Sequence, residues 1–337
     1  MPGPPRARRN GLAAVRIGHS VAPDGSTGVS VVLFGRAAPT VVDVRGGASG
    51  TYDTASLSLD ATFGRRWGIF FSGGSVFGLD AGGGVRDAVL DSGGGHSVFG
   101  NRNRVAPVSG AVLYDLPIVE RRSVDYRELG RKAAETATPI GPAAGRGGAA
   151  AGARIGKYLG RGHAQPGGLA VEAERVSGLG SVAALAVLNS VGAIRDPSTG
   201  RWIAGARDRS GRLVPPDRSR RAAAGGTTLI AVVTDVAAGR PTLQRVAAFA
   251  HAGLARAVVP AHTATDGDAV FVSTVGNVVD SRGRASEDLT RADRIGWAAE
   301  RVVERAIVRA ARAANRASPA PDAAAGSRVG PGSGRSS

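Results

Sequence analysis

One stretch limits the fold more than any other. Thr227 to Val236, TTLIAVVTDV, is a strongly apolar, β-branched run. Such a run reads as a central strand, covered on both faces by other layers. It follows directly on Ile194 to Gly226, the clearest break in the chain, which carries Pro197, Pro215, Pro216, several glycines and eight arginines. No apolar periodicity crosses that break, so it reads as an exposed loop or linker. The junction between the two is a Gly-Gly-Thr-Thr step.

The remaining elements fit a layered α/β chain. Val29 to Phe34, Val41 to Val44, Trp67 to Phe71, Ala111 to Leu116, Val182 to Leu188 and Ala269 to Val275 read as strands. Helical spacing of apolar residues marks Val76 to Leu90, Tyr126 to Thr136, Pro241 to Val259 and Ala292 to Ala314. The third strand runs into Ser72-Gly73-Gly74 and then a helix, a strand–turn–helix unit whose glycines allow a close backbone turn. Gly141 to Gly156 is rich in Gly and Ala and leads to Lys157. Residues 1–12 read as a flexible arm, 13–317 as one domain and 318–337 as a disordered tail.

Composition removes several chemistries. The 337 residues contain no cysteine, which excludes disulfides, thiolate metal sites and a Cys nucleophile and fits a cytoplasmic enzyme. The basic N-terminus lacks the apolar run of a signal peptide, and no stretch approaches the roughly 18 apolar residues of a membrane span. A net charge of +16 suggests nucleic acid, but the distribution argues against it. Of 43 basic residues only Lys132 and Lys157 are lysines, and aromatics that could stack on bases make up 4%. Much of the charge sits at Arg6, Arg8 and Arg9, from Arg195 to Arg221 and beyond Arg312, so a solvated surface is the favoured reading. No histidine has metal-ligand spacing. No metal and no organic cofactor are expected, and Gly73, Gly74 and Gly78 lack the spacing of a dinucleotide fingerprint.

The Gly226–Thr227 junction carries the sharpest chemical reading. Breaking that bond gives Thr227 a free α-amine with a reference pKa of about 7.7–8.0. Such an amine can act at neutral pH as general base for the hydroxyl of its own residue. Taken alone, Thr-Thr at a strand start is ordinary β-propensity.

A series of motifs in order changes the balance. These are Gly-Ala-Ser-Gly-Thr at 47–51, Ser72-Gly-Gly-Ser-Val-Phe-Gly-Leu-Asp80, Val112-Leu-Tyr-Asp-Leu116, Gly156-Lys157, Asn189-Ser-Val-Gly192, Thr227 to Asp235, the helix around His251, and His262-Thr-Ala-Thr-Asp-Gly-Asp-Ala-Val-Phe271. Together they cover most of the chain and resemble the self-processing DmpA/NylC family of aminopeptidases and 6-aminohexanoate-oligomer hydrolases. The resemblance implies a four-layer α-β-β-α sandwich of the DmpA/ornithine-acetyltransferase type, an N-terminal-nucleophile-like hydrolase. It implies autocleavage between 226 and 227 into a large fragment, 1–226, and a small one, 227–337. Both would stay in one domain and assemble into a homo-oligomer of cleaved pairs.

The resemblance also implies roles. Thr227 corresponds to the nucleophile and Lys157 to a lysine near it, where an ammonium would favour the unprotonated amine and the developing alkoxide. Asn189 corresponds to an oxyanion donor, with a strand-end turn as the alternative. Tyr114 corresponds to a tyrosine near the substrate carbonyl, or is a packed core residue. Asp266 and Asp268 correspond to carboxylates that orient the lysine and nucleophile, against a turn or weak calcium loop. His262 is a helper or structural. Many relatives have Asn where this chain has Gly226. The expected activity is amide hydrolysis through an acyl-enzyme, on small peptides or nylon-type oligomers. An ornithine-type acetyltransferase and a non-enzymatic polyanion-binding protein are the competing readings.

Overall fold

The computed structural model describes residues 11–100, 102–116, 124–217, 225–276 and 285–316, the side chains of 285–288 excepted. The expected arm lies outside these residues save for Gly11 and Leu12, which begin a 3-10 turn, Gly11–Ala14. The expected tail, 318–337, lies outside them entirely, as do Arg218, Arg220 and Arg221.

The main strands are β1 (Val15–Val21), β2 (Gly28–Val44), β3 (Gly50–Tyr52), β4 (Arg65–Ser72), β5 (Val108–Val112), β6 (Ala143–Gly145), β7 (Gly168–Val176), β8 (Gly180–Asn189), β9 (Thr227–Thr234) and β10 (Ala269–Thr274). The long helices are α1 (Ala81–Asp91), α2 (Tyr126–Glu135), α3 (Arg240–Ala257) and α4 (Ala285–Arg316). Hydrogen bonding runs in the order β3-β5-β4-β2-β10-β9-β8-β7-β6, with β1 paired to β2. The pairings are mixed: β9 runs parallel to β10 and antiparallel to β8.

Two sheets share β2. Its first half pairs with β1 and β4, its second half with β10. The register with β4 shifts between Leu33 and Ala38, where Gly35 and Arg36 are exposed. Such an irregularity bends a strand. Here it carries the chain from one sheet to the other, so the two strands expected at 29–34 and 41–44 are one element.

Side-chain alternation builds the layers. On β9, Leu229, Ala231 and Val233 join Leu185, Val187, Phe71 and Phe271 between the sheets. Ile230 and Val232 face the other way, onto Leu243, Val246 and Leu254 of α3 and Val302 and Ile307 of α4. Val29, Val31 and Phe70 of the first sheet meet Val85 of α1 and Leu129 of α2. The result is the expected α-β-β-α sandwich, with β9 buried along its whole length.

Two expectations change. The 194–226 break is not wholly an exposed loop. Ala193–Arg195 pairs with Trp202–Ala204 and with Val258–Val259, and Ile194, Ala204 and Ala206 are fully buried. Three-residue strands are too short to leave a periodic trace. The strand expected at 111–116 ends at Val112, which frees Tyr114 and Asp115 for other work. Surface charge is partly paired: Arg301 and Arg305 of α4 bridge to Glu174, and Arg309 to Glu172, on β7. No helix among the described residues is long and apolar enough to cross a membrane.

The inter-sheet layer should dominate stability. Phe271 is fully buried and its ring lies 6.0 Å from that of Phe71. Phe271→Ala is expected to cost about 3–5 kcal/mol, whereas Trp297→Ala on the exposed face of α4 should stay within about 0.5. Urea unfolding of both variants checks this.

Candidate active site

The β9–β8 register sets Thr227 opposite Asn189, and both are buried. One residue upstream, Gly226 forms a parallel bridge with Asp266. The Gly226 N–H donates to the Thr265 carbonyl at 3.0 Å, and the Gly267 N–H donates back to the Gly226 carbonyl at 2.9 Å. Thr227 Oγ1 donates to that same carbonyl at 2.5 Å. The hydroxyl therefore already sits against the peptide that precedes it. Gly226 does not have a positive φ. The need for glycine is one of space, since a Cβ there would lie 2.2 Å from Val191 N and 2.6 Å from Asp266 Oδ1.

The Asp-Gly-Asp turn holds the strand start. Asp268 Oδ1 accepts the Thr228 N–H at 2.6 Å. Its Oδ2 accepts the His262 N–H and Nδ1–H, both at 2.9 Å. His262 adopts φ 57° and its ring lies edge-on to His251, 4.9 Å away. His251 is fully buried, donates from Nε2 to the Asp43 carbonyl at 2.9 Å, and is held well below the usual histidine range chiefly by burial. Asp266 accepts from Thr263 N and Oγ1 at 3.1 and 2.7 Å and from Val191 N at 3.3 Å. Burial first, then the Asp268 charge, push the Asp266 carboxyl above its ordinary value. His262 is thus tied to β9 through Asp268, a link the sequence only hinted at. The two carboxylates are occupied by protein N–H and hydroxyl donors.

Lys157 enters from a tight turn. Gly156, at φ 82°, donates its N–H to the Ser190 carbonyl at 3.2 Å, which hooks the Lys157–Leu159 turn onto the end of β8. Lys157 is 3% exposed, so it is not a surface lysine, and Nζ has no hydrogen-bond partner among the described residues. Burial pulls its pKa down to about 7; the Asp266 carboxylate opposes the shift and the Arg161 guanidinium adds to it.

Asn189 is engaged on both sides of its amide. Oδ1 accepts the Arg154 N–H at 2.9 Å and Nδ2 donates to the Tyr114 carbonyl at 3.0 Å. One Nδ2 hydrogen remains beyond that bond. Tyr114 is 47% exposed, which removes the packed-core reading. The Arg161 guanidinium lies 5.9 Å from its ring centroid and donates to the Asp115 and Leu116 carbonyls. Asp115, buried, accepts from Gly74 N at 2.7 Å and Thr27 Oγ1 at 2.8 Å, and so anchors the glycine-rich turn after β4. Thr227, Asn189, Asp266 and Asp268 are joined by strand pairing and hydrogen bonds, Lys157 feels the Asp266 charge, and Tyr114 is reached through Asn189. A separate groove on α4, lined by Glu172, Asp196, Arg309 and Arg312, is charge-paired internally and holds no such constellation.

What the sequence did not single out is mostly backbone: the Gly267 N–H on the Gly226 carbonyl, and the Val191 N–H beside Asp266. Every residue but proline carries an N–H, so only the spacing of the Asp-Gly-Asp and Asn-Ser-Val-Gly segments could have signalled them.

Comparison with known proteins gives a consistent picture. Peptidase family S58 matches residues 11–322. An uncharacterized aminopeptidase of Mycobacterium leprae is 31% identical over 333 residues, 90% of this chain and 89% of its own. A 6-aminohexanoate-oligomer endohydrolase of Paenarthrobacter ureafaciens is 31% identical over 328 residues, 88% of this chain and 84% of its own. Among solved structures, an L-aminopeptidase D-Ala-esterase/amidase from Ochrobactrum anthropi, a variant of the Ntn hydrolase fold, superposes with a TM-score of 0.58 at 16% identity, covering 88% of this chain and 83% of that one.

The lysine shift has a measurable consequence. Between about pH 7 and the ordinary value of 10.5, the unfolded chain holds a proton that the folded Lys157 has released. Stability therefore rises with pH across that window. In a Thr227→Ala background, which removes the expected cleavage, the stability gap to Lys157→Met should move by roughly 2 kcal/mol in favour of Lys157 from pH 7 to pH 9. Urea unfolding at the two pH values measures it.

Proposed function

This chain belongs to peptidase family S58, and we propose that it is a self-processing hydrolase of peptide or amide bonds whose nucleophile is the N-terminal Thr227 of a cleaved small fragment. One observation carries the reading: the Thr227 hydroxyl lies 2.5 Å from the carbonyl oxygen of its own preceding peptide, and that oxygen also takes the Gly267 N–H at 2.9 Å.

Cleavage begins with attack of Thr227 Oγ1 on the Gly226 carbonyl carbon. At that stage the Thr227 nitrogen is an amide and is no base. Lys157, without a hydrogen-bond partner among the described residues and with its pKa lowered to about 7, is the group we assign to receive the hydroxyl proton. The Gly267 N–H stabilises the oxyanion as it forms. Collapse breaks the C–N bond, the leaving nitrogen takes up a proton, and an ester joins Gly226 to Thr227 Oγ1. Water hydrolyses that ester, leaving a carboxylate on Gly226 and a free amine on Thr227.

Turnover repeats the chemistry with the new amine as base. The substrate amide acylates Thr227, its amine departs, and water releases the acid. Asn189 supplies the further oxyanion donor through its second Nδ2 hydrogen. Asp268 keeps the start of β9 in register by gripping the Thr228 N–H. Fragments 1–226 and 227–337 stay together because β9 and β10 of the small fragment are paired with β8 and β2 of the large one. The relatives named above give two substrate classes, the amino-terminal residue of a peptide and an oligomer of 6-aminohexanoate.

Thr227→Ala should lower amide hydrolysis at least about 1,000-fold, while Thr227→Ser retains a hydroxyl and keeps measurable turnover. Release of free amine from aminoacyl anilides and 6-aminohexanoate oligomers checks it. Normal hydrolysis by Thr227→Ala would remove the nucleophile assignment.

A further inference from the structure

One buried carboxylate has no part in the reaction above. Asp115 is 3% exposed. Burial raises its proton affinity, while the Gly74 N–H, the Thr27 hydroxyl, its own N–H and the Arg161 charge act the other way. A carboxylate in such a place is costly unless donors occupy it.

What it holds is the segment after β5. That strand ends at Val112, so no ladder fixes Tyr114, and the Tyr114 ring is half-exposed. Leu113 is still tied, its N–H to the Ser72 carbonyl at 2.9 Å and its carbonyl to the Ser75 N–H at 3.0 Å. Beyond it the carboxylate of Asp115 takes over. Oδ1 accepts the Gly74 N–H at 2.7 Å and Oδ2 accepts Thr27 Oγ1 at 2.8 Å. Arg161 donates to the Asp115 and Leu116 carbonyls at 2.7 and 2.8 Å. The carboxylate has no room to shift. A Cβ on Gly73 would lie 2.2 Å from Asp115 Oδ2, and one on Gly152 2.8 Å from the same atom. The glycine-rich turn after β4 and the segment leading to Lys157 both close on it.

The peptide pinned in this way carries the Tyr114 carbonyl, which accepts Asn189 Nδ2 at 3.0 Å. The Arg154 N–H fixes the other side of that amide at Oδ1. With both sides held, the second Nδ2 hydrogen has one direction. Without the Tyr114 carbonyl, the Asn189 amide is free to turn about its last torsion.

We propose that Asp115 is a positioning residue for the oxyanion donor: by locking the Tyr114–Asp115 peptide against the Gly73-Gly74 turn, it aims the second Nδ2 hydrogen of Asn189 at the developing oxyanion. The proposal rests on the Thr227 reading.

The test is a double-mutant cycle on the aminoacyl anilide or 6-aminohexanoate oligomer that the wild-type protein hydrolyses fastest, with rates normalised to the cleaved fraction of each variant. Asp115→Ala should lower kcat about 100-fold and leave KM within about 3-fold. In an Asn189→Ala background the same change should cost less than about 3-fold, because the group it acts through is already gone. Asp115→Asn should stay within about 5-fold of wild type, since its amide can accept from Gly74 and donate to Thr27 Oγ1. Equal losses in the two backgrounds, wild-type kcat in Asp115→Ala, or Asp115→Asn as slow as Asp115→Ala would each overturn the proposal. If Asp115→Ala does not fold or cleave, Thr27→Val takes its place in the cycle. It removes only the donor to Oδ2, and should lower kcat about 5-fold beside Asn189 and leave it unchanged beside Asn189→Ala; equal effects in the two backgrounds contradict the role. Thr227→Ala is the control. Activity persisting there removes the nucleophile and the positioning role with it, whereas the contrary outcomes above with an inactive control remove the role of Asp115 alone.

Discussion

The peptide joining Gly226 to Thr227 is gripped from both sides, and the site is organised around that grip. On one side β8 fixes Thr227 opposite Asn189; on the other, Thr265 and Gly267 bracket Gly226 through its N–H and carbonyl. The hydroxyl of Thr227 then has little choice of direction and meets its own carbonyl. Preorganisation of this kind lowers a barrier because the reacting groups need not be gathered from solution. The sandwich supplies the rigidity: β9 lies in the interior of its sheet and is covered above by the second sheet and below by α3 and α4.

Around that peptide the protein concentrates charge where charge is expensive. Lys157, Asp266 and Asp268 are all nearly inaccessible, and two histidines lie behind them. Buried carboxylates survive only when their oxygens are occupied. Those of Asp266 and Asp268 collect backbone N–H groups from Val191, Thr228, His262 and Thr263. Lys157 differs, because its amine has no hydrogen-bond partner among the described residues and burial lowers its proton affinity instead. A lysine left in that condition is poorly suited to holding a fold together and well suited to taking a proton near neutral pH.

Much of this architecture is legible in the amino-acid order, for physical reasons. The Thr227 run announces itself because both its faces are covered, and α2 and α3 because each buries one stripe. β7 is harder to read. Leu169 and Val171 face the inter-sheet core, but Glu172 and Glu174 occupy positions covered by arginines of α4 rather than by apolar groups. β1 and the hairpin at 193–204 went unmarked because their polar residues interrupt the pattern. Within the site, motif order brought Thr227, Lys157, Asn189, Asp266, Asp268 and Tyr114 into view. The donors supplied by Gly267 and Val191 stayed hidden, being main-chain atoms with no residue signature. Gly226 was legible as a glycine, and the fold supplies the reason for it: crowding, not an unusual backbone angle, demands it.

The proposed scission of one internal peptide is the step on which the proposed nucleophile and base both depend. Intact-mass analysis of the purified, catalytically competent wild-type protein addresses it directly. Two polypeptides are expected, the smaller beginning Thr-Thr-Leu-Ile at Thr227 and the larger ending at Gly226. A fully active preparation containing only the 337-residue chain would contradict it.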